Sequence, residues 1–335
     1  MDFTFTEDQY LFRDTVRELL ADKCTPTAVR AAWENRSGRV DGLWGQLADM
    51  GVVGLTAPDA AGGLGLNEVD LVLLLEEAGR AALPEPLAEH TAVAVPTVAD
   101  AAPDHPLLGP AAAGEITISV GLEQSPYVSG AEEAGALVLQ HGDALHLVER
   151  ADYTVESTRS VDESRRLGRV RWTPSTESSL STDPALVARA FDRGALAAAA
   201  QCLGIAQQLL DLTVAYVQDR QQFGKPVGVN QAVKHHLANV GLAIEFARPV
   251  TYRAAWCVAN EHPELTLEVS TAKALASDAV DLACRHALQC HGAIGYTVEY
   301  DLQLWLKRGW ALAASWGDAT WHRQRVADAV LGPTG

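Results

Sequence analysis

Residues 203–220, LGIAQQLLDLTVAYVQDR, set Leu203, Ala206, Leu210, Val214 and Val217 on one stripe at helical spacing. The rest of the chain after Pro184 reads the same way. Ala232, His236, Val240, Ala243 and Ala247 form a second stripe, and Ala272, Leu275, Ala279, Leu282 and His286 a third. Segments of about 25–30 residues with short connections predict an antiparallel four-helix bundle. The many alanines favour close helix–helix approach or burial against another subunit. Pro249 interrupts the second long helix, which predicts a kink.

Upstream of Pro184 the period changes. ITISV (116–120), ALVLQ (136–140), ALHLVE (144–149) and RVRW (169–172) alternate, with Gly, Asp and Ser between them. That pattern predicts a small antiparallel sheet. The first hundred residues return to helical spacing. Thr6 before Glu7 and Asp8 reads as an N-cap. GVVGLTAPDAAGGLGL (51–66) is a Gly-rich loop, 67–82 is helical again, and six prolines between Pro84 and Pro110 predict loops and short helices. The expected order is an N-terminal helical domain over 1–114, a reduced β domain over 115–183 and a helical bundle over 184–335.

The 335 residues carry 43 acidic and 26 basic side chains, a net charge of −17. Nucleic-acid binding needs a concentrated basic face, so it is not expected. No uninterrupted apolar run reaches the roughly 18 residues of a membrane span. The opening MDFTFTEDQY lacks a basic region and an apolar run, so no secretory signal is expected. The five cysteines form no CxxC pair or zinc spacing, which predicts thiols in a reducing cytoplasm. The histidines His235, His236, His286 and His291 have neither the spacing nor the acidic company of a metal site. No G-x-S-x-G elbow, P-loop or HExxH supports a hydrolase or an NTPase.

Three local sequences, in this order and on these elements, resemble the acyl-CoA dehydrogenase family of flavoproteins. GVVGLTAPDAAGGLGL followed by DLVLLLEEAGRAA is similar to the family's loop-then-helix. DRQQFGKPV (219–227) looks like its Arg-x-x-Phe-Gly-Lys turn, and QCHGAIGYTVEY (289–300) resembles its Gln-x-x-Gly-Gly-x-Gly-Tyr segment. The resemblance implies FAD as cofactor and assigns Arg220, Phe223, Gln289 and Gly292 to the half-site that reaches across a subunit interface to a neighbour's FAD. The chemistry suits such residues, because a pyrophosphate must be met by a cation or by backbone N–H groups at a turn. Gly292 and Gly295 let the backbone approach a bulky ligand. Arg220 and Lys225 also read as cations at a helix C-terminus.

Two departures from the family pattern shape the functional expectation. The Thr-Glu-Pro, Gly-Ser-Asp and Trp-Ile-(Thr/Ser) segments that contact a chain's own flavin are missing between Gly114 and Pro184, where LEQSPYVSG (122–130) stands instead. The family's glutamate base is also missing from both of its places, which fall here at Trp316 and at or beside Gly194. Asp318 is the nearby acid, and it also reads as the cap of the last helix. The resemblance therefore implies the short subunit of an FAD-dependent acyl-CoA dehydrogenase. Such a subunit pairs in a heterotetramer with a longer homologue that carries the base, as in actinobacterial sterol side-chain degradation. Acyl-CoA is the implied substrate, an electron-transfer protein the acceptor, and the reaction α,β-dehydrogenation. A flavin-free structural or regulatory subunit, and a self-sufficient homo-oligomer using Asp318 as base, are the alternatives.

Overall fold

The first helix, α1 (Glu7–Lys23), opens on a reciprocal capping box. Gln9 N–H donates to Thr6 Oγ1 at 3.2 Å while Thr6 N–H donates to Gln9 Oε1 at 2.9 Å. The structure, a computed structural model, describes residues 4–332. The outermost ends of the first and last expected domains, and the first residues of MDFTFTEDQY, lie outside the described residues. Five further short helices follow before the sheets: α2 (Pro26–Glu34), α3 (Leu43–Asp49), α4 (Glu68–Arg80), α5 (Val95–Ala101) and α6 (Leu108–Ala112). A π-helical stretch, Ala88–Ala94, runs directly into α5.

The chain divides into two compact units. One holds Asp22–Leu71 and Pro84–Ala197, the other Met1–Ala21, Val72–Leu83 and Ala198–Gly335.

The first unit contains seven strands: β1 (Ile118–Gly121), β2 (Val128–Ser129), β3 (Ala136–His141), β4 (Ala144–Glu149), β5 (Tyr153–Thr158), β6 (Leu167–Trp172) and β7 (Ser179–Ser181). They form two sheets, ordered β1-β3-β4-β7 and β2-β6-β5. The single antiparallel sheet expected from the sequence is thus corrected in two ways. There are two small sheets, and β1 pairs with β3 in parallel. After β1 the chain leaves the first sheet to form β2 in the second, then returns in its original direction, as a parallel pairing requires. β5 was not foreseen, although YTVEST alternates: Tyr153 is buried and Val155 packs against the same cluster as Val128, Leu137, Leu139 and Val148. Tyr153 satisfies its hydroxyl in that core by donating to the carbonyls of Ala131 (3.0 Å) and Ala134 (2.8 Å).

The second unit takes most of its mass from α7 (Pro184–Asp219, shared with the first), α8 (Gln231–Ala259), α9 (Leu265–His291), α10 (Leu302–Ala314) and α11 (Ala319–Leu331). The long helices are those the stripes predicted. α8 runs unbroken through Pro249, where the ring removes one backbone donor. Glycines let α4 and α7 meet backbone to backbone. A Cβ on Gly204 would lie 1.8 Å from the Glu76 carbonyl oxygen, and one on Gly79 2.1 Å from that of Gln201. By length and composition α7 is apolar enough to cross a membrane, but 72% of its most apolar window is buried inside the protein. All five cysteines are free thiols, and four of them are buried.

Candidate functional site

α7 ends at Asp219, and the chain then makes a two-stranded hairpin before α8. Its strands are β8 (Gln221–Gln222) and β9 (Lys225–Pro226), in antiparallel register. Both residues of the connecting turn have left-handed backbone, Phe223 at φ 51° and Gly224 at φ 75°. That is the geometry of a type I′ turn, which suits glycine and is strained for phenylalanine by about 1–2 kcal/mol. Phe223 stands at the tip of the hairpin with its side chain 98% exposed. An apolar ring in water on a strained backbone is the kind of outlier that marks a functional contact.

Beside the hairpin lies a cavity of about 410 Å³ lined by Arg220, Gln289, Gly292, Tyr216, Gln222, His236, Cys290 and His291, among others. Three of the four residues expected to hold a cofactor, Arg220, Gln289 and Gly292, thus share one cavity. The fourth, Phe223, stands next to it without lining it. Among the described residues, no ion pair to Arg220 is found and no carboxylate lines the cavity. The hydrogen bonds at Arg220 among those residues are backbone ones: its N–H donates to the Tyr216 carbonyl and its carbonyl accepts from the Val227 N–H, both 2.9 Å. The guanidinium therefore caps no helix carbonyl and is free to meet an anion.

Gly292 terminates α9 with φ 64°, and nothing lies within 4 Å of where its Cβ would be, so the open side of its backbone faces space. Gly295 does not play the same part. A Cβ there would come within 3.1 Å of His291 Cβ and 3.2 Å of Leu288 Cδ1, so its smallness serves internal packing rather than a ligand.

The floor of the cavity is aromatic. The His291 and Tyr216 rings stack at 4.3 Å, Tyr300 lies 5.2 Å from His291, and Tyr216 Oη donates to the His291 carbonyl at 3.3 Å. His291 Nδ1 sits 2.8 Å from the Ala287 carbonyl, which makes it the protonated nitrogen. Burial holds His291 below the ordinary histidine range and Cys290 above the ordinary thiol range. Sequence reasoning did not single out Tyr216 for this site, and it set His236 among the helical stripe positions. Tyr216 lies one helical turn before Arg220, which was the available signal.

The two places expected from the sequence for the family's base, Trp316 and the surroundings of Gly194, are engaged in other contacts. Trp316 and Gly317 both have left-handed backbone, at φ 56° and 84°. Their carbonyls are held in succession: His322 Nε2 lies 2.7 Å from the first, and the fully buried Lys273 donates to the second at 3.0 Å. Lys273 spends its other donors on the Ala313 carbonyl and Ser277 Oγ, both 2.9 Å, and so satisfies the C-terminal carbonyls of α10, while burial pushes its ammonium below the usual lysine range. Asp318 accepts from the Trp321 N–H at 2.8 Å as the N-cap of α11. Next to Gly194, the buried Arg193 bridges Glu68 (2.8 Å) and Asp100 (2.7 Å). Glu245 pairs with Arg248 one turn along α8. Among the described residues no group of three metal-binding side chains occurs.

Residues 185–331 match the model of the acyl-CoA dehydrogenase C-terminal domain, and residues 6–105 that of the N-terminal domain. The chain is 33% identical to acyl-CoA dehydrogenase IpdE2 of Mycobacterium tuberculosis over 90% of this chain and 91% of that one. The chain belongs to the acyl-CoA dehydrogenase family. Among solved structures, the Tcur3481-Tcur3483 steroid ACAD G363A variant superposes with a TM-score of 0.85 at 26% identity, covering 97% of this chain and 98% of that one. A chain of the ChsE4-ChsE5 complex from Mycobacterium tuberculosis shares the fold, with a TM-score of 0.90 at 21% identity over the whole of both chains. The family is made of FAD-dependent oxidoreductases acting on acyl-CoA, and FAD is the cofactor that goes with this membership. The residues present suit one part of it. A carboxylate-free cavity with an unpaired arginine, an open glycine backbone and stacked rings fits a nucleotide diphosphate.

Proposed function

We propose that this chain is one subunit of a hetero-oligomeric, FAD-dependent acyl-CoA dehydrogenase, and that its cavity clamps an FAD seated mainly on a longer homologous partner. The observation that carries this reading is the Phe223–Gly224 turn: a strained, 98% exposed phenylalanine beside an unpaired arginine has a reason to exist only against another chain. Arg220 anchors the pyrophosphate, Gln289 and the Gly292 backbone hold the nucleotide, and Phe223 packs on the partner's side of the same ligand.

Bound FAD supplies the redox chemistry of α,β-dehydrogenation of an acyl-CoA thioester. The proton is taken by a carboxylate of the partner, since Asp318 caps α11 and Arg193 beside Gly194 is locked into an ion-pair network. A steroid side-chain CoA thioester is the substrate class this reading favours, because one structural neighbour is named a steroid ACAD. Two neighbours are named as pairs of chains, which favours a two-component assembly. An electron-transfer protein would accept the electrons of the reduced cofactor, and free thiols suit a cytoplasmic location.

The experiment is to purify the chain alone and together with a co-expressed longer homologue, desalt both, and record the visible spectra. The isolated chain is expected to come out colourless or nearly so, and the assembly yellow. One FAD per chain retained by the isolated protein overturns the split site.

A further inference from the structure

The solvent side of α8 is unlike that of α9, against which it packs. In its C-terminal half α9 exposes Asp278, Asp281, Arg285 and Gln289, all polar. From residue 238 to 249 α8 exposes Ala238, Asn239, Leu242, Glu245, Phe246 and Pro249, with Leu242 58% and Phe246 66% open to water. The one charge in that set, Glu245, is already paired with Arg248. Ala238, Leu242, Phe246 and Pro249 follow at spacings of four, four and three, so they share one face of the helix. An apolar, uncharged stripe on the surface of a chain with net charge −17 marks a contact surface. It is separate from the Arg220 cavity, which α8 lines only with Ala232, Val233 and His236, before the stripe begins.

The order of side chains along the stripe says what covers it. With two copies of α8 antiparallel about a two-fold axis at Leu242, that leucine meets its own copy. Ala238, four residues before it, then faces Phe246, four residues after it. The smallest side chain of the stripe meets the largest, and by symmetry does so twice, as ridges packed into grooves require. Asn239 and Glu245, three residues to either side, also face each other, so the amide can donate to the carboxylate. A parallel pairing would instead set Phe246 on Phe246 and bring two Glu245 carboxylates together, which is repulsive. We propose that the exposed face of α8 is a homotypic docking surface, on which a second copy of this chain packs antiparallel about a two-fold axis at Leu242. The contact is isologous and does not depend on what the cavity binds.

The test is sedimentation of the full chain, purified without any partner, over a micromolar concentration series. Wild type is expected to dimerise. Leu242→Glu and Phe246→Glu, both at exposed positions, should hold the melting temperature and weaken the dimer about a hundredfold or more, since each charge enters the contact twice. Phe223→Asp, at the hairpin tip, should leave the dimer intact. Cysteine cross-linking reads the register, with wild type as control because four of its five cysteines are buried. Leu242→Cys should give a disulfide-linked dimer on mild oxidation, because a residue on the axis meets its copy within the roughly 7 Å between Cα atoms that a disulfide allows. Ala238→Cys should give none, because its copy lies about 12 Å away along the helix. A monomeric wild type, a dimer that survives both glutamates, or one that is lost in Phe223→Asp overturns the inference. So does a dimer that Leu242→Cys fails to link or that Ala238→Cys links as well.

Discussion

Acid should destabilise this protein between about pH 6.5 and pH 4, and His90 is a principal cause. The residue lies in the π-helical stretch, is completely buried, and accepts the Ile118 N–H on Nδ1 at 2.9 Å. Nδ1 is therefore unprotonated, and Nε2 carries the hydrogen toward the Ala111 carbonyl 3.2 Å away. A second proton would break the bond to the start of β1 and bury a charge with no carboxylate partner. Burial, the largest cause, holds the folded pKa down at about 4, against 6.5 for the free side chain. Because the folded value is the lower one, the unfolded chain binds the proton first. The stability is complete above pH 6.5 and drains away as the pH falls toward 4. A displacement of that size is worth about 3 kcal/mol, a large share of a domain's net stability. The measurement is urea denaturation at several pH values for wild type and His90→Gln, whose amide cannot titrate. The variant should start about 1 kcal/mol less stable near pH 7, where one hydrogen bond is imperfect. Its loss per pH unit across the window should then be shallower than wild type by up to about 1.4 kcal/mol. Superimposable pH slopes would refute the assignment of His90 as a buried neutral acceptor. His322, also held at about 4 chiefly by burial, puts the same lability into the other unit.

Further outcomes can be checked at single positions. Arg220→Ala should weaken equilibrium FAD binding by about tenfold to a hundredfold, the worth of a charge-assisted phosphate contact, while the melting temperature holds; unchanged affinity would remove Arg220 from the clamp. Asp318→Asn should leave flavin bleaching by acyl-CoA nearly unchanged in the assembled enzyme, because asparagine caps as well as aspartate; a rate loss of about a hundredfold or more at constant melting temperature would make Asp318 the base. Gly204→Ala should cost about 3 kcal/mol in urea denaturation, since its Cβ falls 1.8 Å from the Glu76 carbonyl oxygen and neither backbone can retreat cheaply. Lys273→Met should cost a similar amount, about 3 kcal/mol, by stranding the Ala313 and Gly317 carbonyls, and a near-neutral result would show that the α10 terminus finds other donors.

The long helices were legible because burial repeats every three to four residues, and periodicity records burial. Val217, Val240, Ala247, Ala272 and Ala279, all read as stripe positions, are indeed buried. What stayed hidden depends on pairing across the chain. Nothing local in ITISV says that β1 will run parallel to β3, because that follows from β2 belonging to a different sheet. Gly79 and Gly204 look like ordinary helix-weakening glycines until α4 and α7 are brought into contact. His90 looks like any histidine before its backbone donor arrives from Ile118.

The cavity lies between these cases. Arg220, Gln289 and Gly292 come from motifs some 70 residues apart, and only the packing of α8 on α9 gives them a common wall with Tyr216 and His236. Phe223 is the most instructive residue, because its propensity argues against the place it occupies. A left-handed, solvent-exposed phenylalanine is worse for the isolated chain than an asparagine there would be, on both backbone and solvation grounds. Under the proposed split site, that unfavourable feature would be balanced by a contact with the partner chain. The proposed division of labour fits the same logic: an N-capping Asp318 and an ion-paired Arg193 serve the stability of this chain, and the proposal leaves the carboxylate base to the partner.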